Sequence, residues 1–113
     1  MSERQEQIKL FQWIKLHPVL KRHAFSIAND GKRSPQLGAT YKKMGLRPGA
    51  SDIFIAVPRR NYHGFFIELK FGKNQATPAQ LEFIKDMREN GSKAEVIWGA
   101  DDATKQIQQY LLD

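Results

Sequence analysis

Gly64-Phe65-Phe66-Ile67-Glu68-Leu69-Lys70-Phe71-Gly72 is bracketed by glycines and alternates as a β-strand does. Side chains along a strand point in turn to opposite faces. Phe65, Ile67, Leu69 and Phe71 therefore share one wholly apolar face. Phe66, Glu68 and Lys70 share the other, where an acid and a base stand two positions apart. A central strand rarely spends two positions on opposite charges unless they have chemistry to do or face solvent.

Just upstream, Asp52 to Val57 reads as a second strand, and Pro58 to His63 as a short connection rich in turn formers and positive charge. So short a link predicts an antiparallel hairpin. With the turn centred on Arg60, paired residue numbers sum to 120: Ala56 faces Gly64, Phe54 faces Phe66 and Asp52 faces Glu68. Directly opposed residues share a face, so this register sets two carboxylates together. A slip of one residue sends them to opposite faces.

Further out, residues 3–16 read as a helix with Ile8, Phe11 and Ile14 at helical spacing and Leu10 and Trp13 beside them; His17-Pro18 ends it. Glu3 and Gln7 lie four apart on the side leading into that stripe, and Glu6 leads into its Leu10/Trp13 flank. Either acid could simply complement a helix N-terminus. Residues 23–28 read as a short strand, and Asn29-Asp30-Gly31 as a turn. Ser34-Pro35 opens a helix that Gly45 stops. After the hairpin, Thr77-Pro78 opens a helix to about Asn90, with Leu81, Ile84 and Met87 or Arg88 at helical spacing and Gly91 as the stop. Lys93 to Trp98 is a strand, with Ala94, Val96 and Trp98 as its apolar set. Asp101 or Asp102 caps a last helix to about Leu112. The expected order is αβ(α)ββαβα: an α/β fold, with a mixed four-stranded sheet flanked by helices.

At 113 residues the chain has room for one domain, 1–113, with a real core, and not for two. It contains no apolar run of membrane-spanning length and no signal-peptide pattern. It has no cysteine, which excludes disulfides, thiolate metal sites and a cysteine nucleophile, and fits a reducing cytoplasm. Net charge is +6, unevenly spread. Residues 32–73 hold nine basic side chains against two acids, Asp52 and Glu68, so this stretch carries +7 and the remainder −1. A basic centre suits a polyanion such as nucleic acid. Arg33, Arg59, Arg60 and Lys73 are candidate phosphate contacts, with solvated surface charge as the plainer reading.

Two adjacent carboxylates repel unless something neutralises them, and a divalent cation does. Hard oxygen donors with room for water suit Mg²⁺ or Mn²⁺. A lysine two residues after Glu68 shares its face and could orient a water or steady charge on a phosphate. Asp52 with Glu68-x-Lys70 thus makes a metal-dependent phosphodiesterase site. The plainer reading is that Glu68 and Lys70 form a surface ion pair and Asp52 merely begins a strand after a turn; the alternative function is a non-catalytic basic DNA-binding module.

Pro48-Gly49-Ala50-Ser51-Asp52, then Tyr62 to Lys70, then Thr77-Pro78-Ala79-Gln80, resemble the successive motifs of the virus-type replication-repair nuclease (VRR-NUC) domain, a branch of the PD-(D/E)XK nucleases. Asn29 to Arg33 and the opening Ser2 to Gln7 are similar to small stand-alone phage and prophage members. The resemblance covers nearly the whole chain. It implies a restriction-endonuclease-like core, with Asp52, Glu68 and the Leu69 carbonyl as metal ligands and Lys70 as catalytic lysine. It implies that Gln80 helps order the active site and that Glu3, in a Glu-x-x-x-Gln spacing with Gln7, is the first-helix acid, with Glu6 as second choice. One departure is Ser51, where many relatives carry proline; it costs loop rigidity and no ligand. The resemblance also implies Mg²⁺-dependent, structure-selective cleavage of branched DNA, including four-way junctions, by a homodimer in a bacterial or phage-infected cell.

Other features carry less. His17, His23 and His63 show no metal-binding cluster, so single structural roles are expected. Gly72-Lys73 lacks the glycine spacing of a P-loop. Trp13 and Trp98 fall on apolar stripes and are expected in the core.

Overall fold

The computed structural model describes residues 1–27 and 34–112. The turn expected at Asn29-Asp30-Gly31 and the phosphate contact expected at Arg33 lie outside them. The elements run α1 (Glu3–Ile14), α2 (Leu20–His23), β1 (Ala24–Ser26), α3 (Pro35–Lys43), β2 (Ile53–Ile55), β3 (Phe65–Lys70), α4 (Pro78–Glu89), β4 (Lys93–Trp98) and α5 (Ala100–Leu112). The strands form one mixed sheet in the order β1-β2-β3-β4. The first three are antiparallel neighbours, and β4 joins β3 in parallel after the α4 crossover.

The hairpin register is the expected one. Ile53 pairs with Ile67, Phe54 with Phe66 and Ile55 with Phe65, so every pair sums to 120. At the tip Arg59 bridges Tyr62, a sum of 121, and Arg60 adopts φ 50°. One extra residue is thus absorbed on the Pro58 arm, and the slip never reaches the strands.

The apolar face of β3 is the core. Phe65, Ile67 and Leu69 are buried against Ile53, Ile55 and Ile97 of the neighbouring strands, under Leu10 and Ile14 of α1 and Ala103, Ile107 and Tyr110 of α5. Each large side chain so buried contributes about 1.5–3 kcal/mol. The other face carries an aromatic row: Phe54 meets Phe66 at 4.3 Å between ring centroids, and Phe66 meets Phe83 of α4 at 5.3 Å.

Several local expectations are corrected. The buried face of α1 is Glu6, Leu10 and Ile14, whereas Ile8 is exposed. In α4 it is Phe83 and Ile84, and Leu81 is exposed. The start of the added helix α2 is capped by a side chain: His17 Nδ1 accepts from the backbone N–H groups of Val19 and Leu20. In β4 the core-facing residue is Ile97, while Trp98 is 42% exposed. Among the described residues β4 has no strand beyond it, and Arg88 of α4 reaches round to donate to the Ala94 carbonyl at 2.8 Å and to pair with Glu95 at 2.7 Å.

One loop contact fixes the approach to β2. Gly49 has φ 84°, and a Cβ there would stand 2.5 Å from the backbone of Ala79 in the first turn of α4. Gly49→Ala is expected to cost roughly 2–4 kcal/mol, from the left-handed backbone and the clash together. Thermal or urea unfolding measures it, and a loss below ~1 kcal/mol would contradict this packing.

Candidate active site

β2 begins only at Ile53, so among the described residues the last half of β3 has β4 alone as a strand partner. Asp52 takes over where the ladder stops: its Oδ2 accepts from the Leu69 N–H at 2.9 Å. A strand residue sends its N–H and C=O to the same neighbour, and successive residues alternate sides. Lys70 bonds towards β4, its carbonyl accepting from Gly99 N–H at 2.9 Å. The Leu69 carbonyl therefore points to the side that β2 has vacated, beside Asp52.

Glu68 and Lys70 lie on the face away from the core, as their alternation requires, yet neither faces solvent. Glu68 is 2% exposed and Lys70 6%. Lys70 Nζ lies 3.8 Å from Glu68 Oε2. Burial pushes the Glu68 carboxyl up to about 9, and the neighbouring Asp52 carboxyl, within hydrogen-bonding reach, adds to the rise. Asp52 is also raised, by burial first, with the Glu68 and Leu69 hydrogen bonds pulling against it. Without a cation, these two groups coexist by keeping a proton. Glu68 Oε1 is buried and meets no hydrogen-bond donor, and neither does the hydroxyl of the adjacent loop residue Ser51.

An orphaned, buried carboxylate oxygen costs free energy unless something positive reaches it. The donor set around it is two carboxylates and a backbone carbonyl, which are hard oxygens suited to Mg²⁺ or Mn²⁺. The residues present therefore fit a divalent ion held by Asp52, Glu68 and the Leu69 carbonyl.

The helix acids separate by role. Glu3 sits near enough for its negative charge to raise both Asp52 and Glu68, and its Oε2 accepts from Asn74 Nδ2 at 2.6 Å. Glu6 is buried and turned away: its Oε1 accepts from Ala100 N–H at 2.9 Å. That bond caps α5 from another helix, where a cap by Asp101 or Asp102 was expected; both aspartates lie inside the first turn. Gln80 completes a capping box with Thr77, its Oε1 accepting from Thr77 N–H at 2.9 Å. Its side chain is thus committed to ordering the start of α4, against which Gly49 packs.

The basic candidates divide by place. Lys73 is exposed in the loop that leaves β3 at the site end. Arg59 and Arg60 sit at the hairpin tip, about 20 Å away along β3, and Arg59 Nε donates to the Leu111 carbonyl. His17 and His23 have the local structural roles expected of them, His23 Nδ1 lying 2.9 Å from the Val19 carbonyl. Sequence reasoning missed Asn74 and Trp98: Trp98 pairs in register with Lys70 and so shares the face of Glu68.

Residues 1–101 match the sequence profile of the VRR-NUC domain. Among solved structures, a protein described as a VRR_NUC domain protein superposes with a TM-score of 0.85 at 32% identity, covering 99% of this chain and 89% of that one. No curated protein matches the chain. Profile and fold agree over nearly the whole length: the chain belongs to the VRR-NUC domain family, and so to a family of nucleases whose members generally depend on a divalent metal.

Proposed function

We propose that this chain is a Mg²⁺- or Mn²⁺-dependent DNA endonuclease, selective for branched DNA such as four-way junctions and acting as a homodimer. The observation that carries the reading is the buried Asp52–Glu68 pair beside Lys70, with one carboxylate oxygen left without a donor. A cation bound there supplies charge neutralisation and Lewis acidity at the scissile phosphate.

The protein's own groups do the rest. Asp52 is fixed by the Leu69 N–H, so its second oxygen is held towards the site. Lys70, buried beside Glu68, presents a positive charge where a phosphate oxygen or an attacking water is to be held. Lys73 offers a contact to a flanking phosphate, with Arg59 and Arg60 at the hairpin tip as more distant candidates and Arg33 as a further one. Two symmetric cuts on a junction suit a two-fold pair of subunits. The site of action proposed is the cytoplasm of a bacterial or phage-infected cell.

The test is a panel of labelled four-way, flap, nicked and linear DNAs incubated with Mg²⁺, Mn²⁺ or EDTA. Cleavage of branched DNA in either metal and none in EDTA is expected. Salt-sensitive binding with no cutting in any metal would mark a non-catalytic DNA-binding module instead. Sedimentation at micromolar concentration checks the dimer, and a monomer there would remove the junction preference from the proposal.

A further inference from the structure

We propose that Asn74 is a positioning residue: anchored by the Trp98 indole, it holds Glu3 against the metal site and so sets how tightly a hydrated divalent cation is kept there. The inference rests on the reading of Asp52 and Glu68 as the metal pair.

Asn74 is engaged on three sides. Its side-chain amide donates to Glu3 Oε2 at 2.6 Å, its carbonyl accepts from Trp98 Nε1 at 2.8 Å, and its N–H donates to the Phe71 carbonyl at 3.2 Å. Each partner comes from a different place: α1, the end of β4, and the residue just after the strand that carries Glu68 and Lys70. The turn into this loop needs Gly72 at φ 63°. Glu3 stands in the first turn of α1, where a glutamate left alone samples many rotamers. One turn along, Glu6 ties the same helix face to the start of α5 through Ala100. The helix is thus pinned at Glu6, and the Asn74 bond directs the Glu3 carboxylate.

That carboxylate acts from outside the inner pair. Among the described residues, no three acidic or histidine side chains converge tightly enough to hold one ion. Its reach is through the field and through the water shell of the cation, as outer ligand-orienting groups act at metal sites. Trp98 explains itself on the same account. A tryptophan 42% exposed at a strand end gains little from burial, but its N–H has a defined partner in the loop.

The experiment compares the full chain with Asn74→Ala, Trp98→Phe, Glu3→Gln and the double variant Glu3→Gln/Asn74→Ala. Mn²⁺ affinity is read by electron paramagnetic resonance without DNA, and kcat and KM by cleavage of the preferred DNA. Asn74→Ala is expected to weaken Mn²⁺ binding about tenfold, and Trp98→Phe, which keeps the ring and drops the donor, in the same direction. The double variant should bind Mn²⁺ no more than about twofold worse than Glu3→Gln alone, because both changes remove one interaction. In cleavage, kcat falls and KM for DNA stays. Unchanged Mn²⁺ affinity in Asn74→Ala and Trp98→Phe overturns the proposal, as does full additivity with Glu3→Gln. If the unaltered chain binds Mn²⁺ but cuts no DNA, the nuclease reading fails, while the metal measurements still decide the role of Asn74. If Asn74→Ala does not fold, Trp98→Phe and Glu3→Gln carry the same comparison.

Discussion

Alanine at Asp52, Glu68 or Lys70 is expected to reduce DNA cleavage by on the order of 10³-fold or more, with DNA affinity in EDTA changed by less than about threefold. The separation follows from position. All three groups lie at one end of β3, Glu68 and Lys70 almost wholly buried, so they contribute little to the surface that meets the DNA backbone. Removing Asp52 or Glu68 takes away half of the carboxylate pair, and removing Lys70 leaves no buried cation beside it. Substrate in excess should not rescue the rate, because the loss is in kcat. Single-turnover cleavage and filter binding on the three purified variants provide the check. Retained turnover in all three would dismiss this site.

The second large effect concerns stability in the absence of metal. In EDTA the melting temperature is expected to fall as pH rises from about 5 to about 9. Glu68 holds its proton up to about 9 in the folded chain, because of burial first and Asp52 second. The unfolded chain gives the proton up near the usual glutamate value of about 4.3. Between those values the native state binds more protons than the unfolded state, so stability is greatest at the acid end and is lost progressively towards pH 9. A fall of at least ~4 °C across the window corresponds to roughly 1 kcal/mol for a domain of this size. Glu68→Gln should flatten the slope and melt higher than the parent at pH 8 in EDTA, since an amide is neutral at every pH and the folded chain no longer has to hold a proton that the unfolded chain has given up. Added Mg²⁺ should also flatten it, because metal competes with protons for the same oxygens. Calorimetry at four pH values with and without metal measures this. A flat profile in EDTA, or an unchanged slope in Glu68→Gln, would contradict the description of the carboxylate pair.

What could be read from the sequence was whatever short range decides. A short link between two strands, read as Pro58 to His63, leaves few registers, and the one that puts Phe54 opposite Phe66 is the one formed. Thr77-Pro78 and Ser34-Pro35 cap helices by contacts three residues apart, and both caps form. What escaped depends on distant partners. The buried stripe of α1 includes Glu6, so an apolar search chose Ile8, on the wrong side; the reason for burying an acid is a helix start 94 positions away. Trp98 sat on an apolar alternation whose Ala94 is indeed buried, but at the last residue of the strand that face meets the loop after β3 rather than the helix layer. At the site, the pairing of Asp52 with Glu68 was visible as soon as the register was. The burial of Lys70 was not, because nothing local says that a charged strand face will be covered.

The arginine that leans over the rim of β4 has a consequence away from catalysis. A parallel outermost strand of six residues leaves every second backbone group pointing outward, an invitation for a foreign strand to dock. Arg88 occupies one such carbonyl and brings its charge, with Glu95, to the same margin. A charged, partly occupied margin of this kind disfavours edge-to-edge stacking of crowded copies, and a neutral side chain at position 88 would reopen the Ala94 carbonyl.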